Sequence, residues 1–149
     1  MSSPARVLVQ RFVDIWRGGD MEPLRSFTTK DCVFQLLPQS MKHAPMTIDQ
    51  YIALIQPGLA EWGKEGEPKI KIEILDFMES AAGDKAVAHS KAVDSFGPNG
   101  VPYNNEYVFM FTFVEENGQK KISHINEFVD SGYFRDFMAA VSAAKETKA

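Results

Sequence analysis

The stretch that most constrains the fold is 104–130, NNEYVFMFTFVEENGQKKISHINEFVD. Two apolar, β-branched and aromatic runs flank Glu116-Asn117-Gly118, a turn sequence that closes antiparallel hairpins. The first run, Tyr107 to Val114, is too long and too aromatic for a solvated ribbon. It belongs in the centre of a sheet with at least one face covered. The second run sets His124, Asn126, Glu127 and Asp130 among Ile122, Ile125, Phe128 and Val129. Burying a polar group without a partner costs roughly 1–3 kcal/mol, so this interruption needs a reason. Hairpin register decides which polar group meets the aromatics. The favoured three-residue loop, Gly118 left-handed, groups Tyr107, Phe109, Phe111 and Phe113 with Ser123, Ile125, Glu127 and Val129. A four-residue loop slips the pairing and puts His124 and Asn126 on the aromatic face instead. Either way a titratable group faces an apolar surface.

The segments before the hairpin supply helices and more strands. Ser3-Pro4 opens a helix whose stripe is Leu8, Val9, Phe12, Val13, Ile15 and Trp16, and Gly18-Gly19 ends it. Asp20 can cap a short second helix with Pro23 in its first turn. Thr28 to Asp31 reads as a loop, Cys32 to Leu37 as a short strand, and residues 38–46 as a loop. Thr47 and Gln50 form a capping box for a helix that Pro57-Gly58 kinks or breaks. From Lys69 the period becomes two: Lys69 to Ile74 alternates as a half-buried strand. Lys85 to Phe96 is the next strand, with Val87, His89, Lys91 and Val93 on one face and Ala86, Ala88, Ser90 and Ala92 on the other. Phe134, Phe137, Met138 and Val141 mark a short final helix, and 142–149 reads as a frayed tail. Segregated helices and a meandering sheet predict one α+β domain over 1–149, with a strongly curved, mainly antiparallel mixed sheet wrapped round the first helices.

Composition narrows the function classes. A net charge of −4 without a Lys/Arg cluster argues against nucleic acid. The lone cysteine, Cys32, excludes an internal disulfide and suits a reducing, cytoplasmic setting as a small buried hydrophobe. No secretory leader opens the chain, and no apolar run approaches the ~18 residues of a membrane span. The 11 Phe, 4 Tyr and 2 Trp are enough to fill a core and also line a pocket. The three His show no i,i+4 metal-site spacing, no glycine-rich loop precedes a helix, and no Ser or Cys occupies a nucleophile elbow. No metal site is therefore expected.

Helix–helix–strand–helix followed by four strands resembles the nuclear transport factor two-like superfamily, and specifically its SnoaL-like branch. Trp16-Arg17-Gly18-Gly19-Asp20-Met21 is similar to the end of that branch's first helix, and Gly83 to Ala88 to its "gdkVav" strand. Gly118 to Asp130 resembles its closing strand. Pro38-Gln39-Ser40-Met41 and Asn105-Glu106-Tyr107 look like fungal members that isomerise or cyclise polyketide and meroterpenoid intermediates. The resemblance implies a deep apolar pocket for a hydrophobic ligand, cofactor-free acid–base chemistry, and a homodimer through the sheet. It also makes the acid three residues before the closing Asp catalytic, which is Glu127 here. Epoxide-hydrolase relatives carry an Arg and an Asp on the strand matching Ala86 to Asp94; this chain has His89, Lys91 and Asp94, and no Arg.

From the residues themselves, Glu127 is the first catalytic candidate, because a carboxyl in an aromatic surround has its pKa raised towards neutrality. His89 and His124 are the other natural proton carriers, and His43 sits in a loop at the expected mouth. Lys91 could orient an oxyanion, Glu106 could line the rim, and Asn126 belongs to the alternative register. Trp16, Tyr51, Phe109 and Phe111 are the aromatic pocket candidates, with an indole N–H and a phenol O–H as polar handles.

Overall fold

Local capping starts both amino-terminal helices where the sequence places them. In α1, Pro4–Gly18, Ser3 Oγ accepts the Arg6 N–H, and Gly19 at φ 73° ends the helix. A 3₁₀ turn, Glu22–Ser26, follows, with Asp20 accepting the Glu22 N–H. The structure is a computed structural model and describes residues 1–148. Strands β1 (Thr28–Leu37) and β2 (Met46–Thr47) lead into α2 (Ile48–Leu59), whose Thr47–Gln50 capping box is formed. Then come β3 (Lys71–Glu79), β4 (Lys85–Val93), β5 (Ser95–Phe96), β6 (Pro102–Tyr103), β7 (Glu106–Glu116), β8 (Gln119–Val129) and α3 (Ser131–Lys148).

Six strands form an open sheet in the order β2-β1-β8-β7-β4-β3; β1 runs parallel to β8 and the other neighbours are antiparallel. Strands β5 and β6 pair separately. This is an α+β architecture with the sheet curled round α1. Phe12 on α1 meets Phe109 and Phe111 edge-on, ring centres 5.2 and 5.4 Å away, in a geometry that suits the ring quadrupoles.

The structure corrects several boundaries. Thr28 to Asp31 is strand rather than loop, because Thr28 pairs with Ile122 of β8 and its hydroxyl donates to the Leu24 carbonyl. Strand β4 stops at Val93, where Asp94 turns to φ 43°. Pro57 falls in the last turn of α2, so the lost N–H and the ring affect only the end of the helix, which continues to Leu59. The tail is helical to Lys148, since Ala, Lys and Glu favour helix; Ala149 lies outside the described residues.

The hairpin turn is tighter than expected. Glu116 pairs with Gln119 across a two-residue loop in which Asn117 and Gly118 both have positive φ. A bulge then absorbs one residue: Phe113 pairs with Ile122, but Thr112 pairs with His124. Ser123 is the bulged residue, and Ile122 takes the inner position near the turn. Beyond the bulge the pairing returns to the favoured parity, with Phe109 opposite Glu127 and Tyr107 opposite Val129.

Helix α3 is seated through Phe137, which packs on Trp62 and Tyr103. A Cβ built on Gly97 would stand 2.3 Å from that ring. Gly97→Ala should therefore cost about 1–3 kcal/mol by overpacking and loosen α3. Denaturant unfolding together with amide exchange of α3 checks this; unchanged values for both would show that the ring can move aside freely.

Candidate active site

The polar residue of the aromatic face reaches the apolar interior through strand parity. On β8, Ile125, Glu127 and Val129 point inward while His124, Asn126 and Phe128 point out. Glu127 lies opposite Phe109 on β7 and beside Leu36 on β1. It borders a cavity of about 270 Å³. Trp16 of α1, Leu54 and Ile55 of α2, Ile72 of β3, and Phe134 and Met138 of α3 complete much of its wall, with Tyr103 and Tyr107 beside Glu127. Leu54 and Met138, 58% and 45% exposed, mark the side open to solvent.

Burial alone pushes the Glu127 carboxyl up from 4.5 to about 8. Among the described residues no cation faces it, and no side-chain hydrogen bond from protein reaches it. Its negative charge in turn helps hold the Tyr51, Tyr103 and Tyr107 hydroxyls above their ordinary range, where desolvation is the larger cause. Three phenols thus lie within electrostatic reach of one carboxyl. The Tyr103 and Tyr107 hydroxyls hydrogen-bond each other. Tyr51 is stacked on Phe34 at 3.8 Å, and neither its hydroxyl nor the Trp16 Nε1–H has a protein partner among the described residues.

The remaining expected site residues lie elsewhere. His89 and Lys91 point to the outer face of β4, because Ala86, Ala88, Ser90 and Ala92 take the inner one. His89 Nε2 is 2.6 Å from Glu106 on that outer face. His124 bonds Asn126 at 3.0 Å on the outer face of β8. The expectations that His89 or His124 assists Glu127, and that Lys91, Glu106 and Asn126 line the cavity, are corrected by this separation across the sheet. Phe109 and Phe111 are core beneath Phe12 rather than cavity wall. His43 is exposed in its loop. Trp16 lines the cavity as expected, whereas Tyr51 is buried behind it, edge-on to the Trp16 ring, and is not part of the wall. Tyr103 was missed. Its strand has only two residues, and the Asn104-Asn105 link to β7 sets its hydroxyl beside that of Tyr107, four residues on. Tyr107 was legible as a member of the Glu127 face.

Among the described residues, no group of three or more His, Cys, Asp or Glu is placed to hold a metal ion, and no helix is long and apolar enough to cross a membrane.

An open, curled sheet over helices thus carries an inward carboxyl, Glu127, at an apolar cavity. Residues 9–125 match the model of the SnoaL-like domain, and the chain belongs to that family. It is 30% identical over 142 residues to Monooxygenase nsrS of Aspergillus novofumigatus, covering 93% of this chain and 90% of that protein. The fold is shared with PrhC from Penicillium brasilianum: TM-score 0.79, 19% identity, 95% of this chain and 90% of that one. It is also shared with BvnE pinacolase from Penicillium brevicompactum: TM-score 0.76, 22% identity, 93% of this chain and 96% of that one.

Proposed function

We propose that this protein is an isomerase- or cyclase-type enzyme acting by acid–base catalysis on a hydrophobic, oxygen-bearing small molecule such as a polyketide or terpenoid intermediate. The observation that carries the reading is Glu127: an inward carboxyl at an apolar cavity, facing no cation, with its pKa at about 8. Such a group is protonated enough to donate near neutral pH and basic enough to take a proton back, which is what proton relocation within one molecule requires. The protonated acid gives its proton to a substrate oxygen. The carboxylate left behind then accepts a proton released from carbon, and the acid is restored without a further reagent. The pinacolase named among the structural neighbours is a protein of the same fold, which supports this reading.

The naming of nsrS as a monooxygenase supports a second reading, in which the substrate gains oxygen. Product mass separates the two. The gene is disrupted in its host, the accumulated intermediate is isolated, and purified protein is incubated with it. The proposal expects a product of unchanged mass, or one short of a single water where ring closure includes dehydration. A product heavier by one oxygen atom would overturn it in favour of oxygenation.

A further inference from the structure

We infer that the Tyr103–Tyr107 hydroxyl pair orients the ligand, and that the cavity takes a neutral molecule presenting an acceptor oxygen, a ketone or an ether, and rejects anions. The inference deepens the proposed function, since it concerns the same cavity, but it is tested by binding alone.

The side chains on the wall that carry a polar atom able to donate or titrate are Trp16, Trp62, Tyr103, Tyr107 and Glu127. Among the described residues that line the cavity, none is Lys, Arg or His. A carboxylate or phosphate on the ligand would thus enter an apolar space without a countercharge, which is prohibitive for an ion. Glu127, when ionised, would repel it as well.

The donors are in surplus. Two phenols carry two O–H protons, and the bond between them uses one. Among the described residues, no other acceptor takes the second. The Trp16 Nε1–H is likewise buried and unpaired beside the same space. An unmatched buried donor is corrected by a ligand acceptor, and a carbonyl or ether oxygen is the neutral group that supplies one.

The pair is also held rigidly. The Tyr107 ring stacks on Phe109 at 5.1 Å, and Tyr103 is boxed between Trp62 and Phe137, each 4.8 Å away. Fixed rings keep the hydroxyls aimed without loss of side-chain entropy on binding, as a specificity site requires. Tyr107 pairs with Val129, the next inward residue after Glu127 on β8, so a ligand oxygen held by the hydroxyls sits next to the carboxyl.

The test uses three near-isosteric probes: acetophenone, isopropylbenzene and benzoate. Dissociation constants are read at pH 6.5 from the shift of the tryptophan indole N–H signals in NMR titrations of wild type, Tyr103→Phe and Tyr107→Phe. Each variant should weaken acetophenone by ~3–10-fold, the range of one net hydrogen bond, and leave isopropylbenzene within about twofold. Benzoate should bind wild type at least ~10-fold more weakly than acetophenone. Equal losses for ketone and hydrocarbon would assign the tyrosines to packing and overturn the inference. So would unchanged ketone affinity in both variants, or benzoate binding as well as the ketone. A protein that shows the tyrosine-dependent ketone preference but turns nothing over would sink the catalytic reading and leave this one standing.

Discussion

Glu127→Gln should lower turnover of the isolated intermediate by ~10²–10⁴-fold, the range that general acid–base catalysis contributes. The variant keeps the volume opposite Phe109 and beside Leu36, so the sheet has no reason to shift. It removes no protein hydrogen bond that the described residues make to the carboxyl. What it loses is the exchangeable proton, because an amide neither donates as an acid nor accepts as a carboxylate. The loss should fall on kcat with KM little changed, since the amide still offers a polar N–H to the ligand oxygen. Glu127→Asp should recover part of the rate, limited by its shorter reach. The neighbouring histidines should not substitute: His89→Gln and His124→Gln alter the outer face of the sheet and should stay within about threefold of wild type. Turnover by Glu127→Gln within twofold of wild type would remove this carboxyl from the chemistry.

How the site was legible follows from strand parity. The alternation of β7 and β8 placed Glu127 among Tyr107, Phe109 and Phe111, and the same parity placed His124 and Asn126 opposite. The turn itself is two residues rather than three; the bulge at Ser123 supplies the missing residue, so parity at Glu127 survives a wrong turn length. Period two divided β4 correctly into two faces but did not say which face is inner. Val87 and Val93 are the larger apolar residues of that strand, yet the alanines face in, because only small side chains let α1 lie close against the sheet. That inversion is why His89 and Lys91 belong outside. Phe109 and Phe111 are aromatic for the same packing reason: α1 covers them with Phe12, and the cavity begins further along, past Tyr107. Contacts that join distant segments were beyond local reading, above all the parallel pairing of β1 with β8.

The same carboxyl makes fold stability depend on pH with an unusual sign. Glu127 is raised in the folded state from 4.5 to about 8, so between these values the native protein holds a proton that the unfolded chain has released. Stability is then full below about pH 4.5, falls as pH rises, and levels off above about 8, with a slope of at most ~1.4 kcal/mol per pH unit. The groups facing Glu127 do not compete in this window. Tyr51 from α2, Tyr103 from β6 and Tyr107 from β7 are all pushed above their ordinary range; Cys32, elsewhere in the core, is raised to about 12. Asp84, lowered chiefly by its bond from Ser80, acts at the acid end of the range. The variant with Gln at 127 carries no titrating proton there, so subtracting its profile from that of wild type isolates this one group. Near pH 5 the two should melt together. By pH 9 Glu127→Gln should melt several degrees higher, at ~2–4 °C per kcal/mol for a chain of this size. Circular-dichroism melts of both proteins at pH 5, 7 and 9 give the comparison. A difference in Tm that stays constant across the three would mean that Glu127 ionises as freely in the folded protein as in the unfolded chain, and that the cavity does not tune its acid.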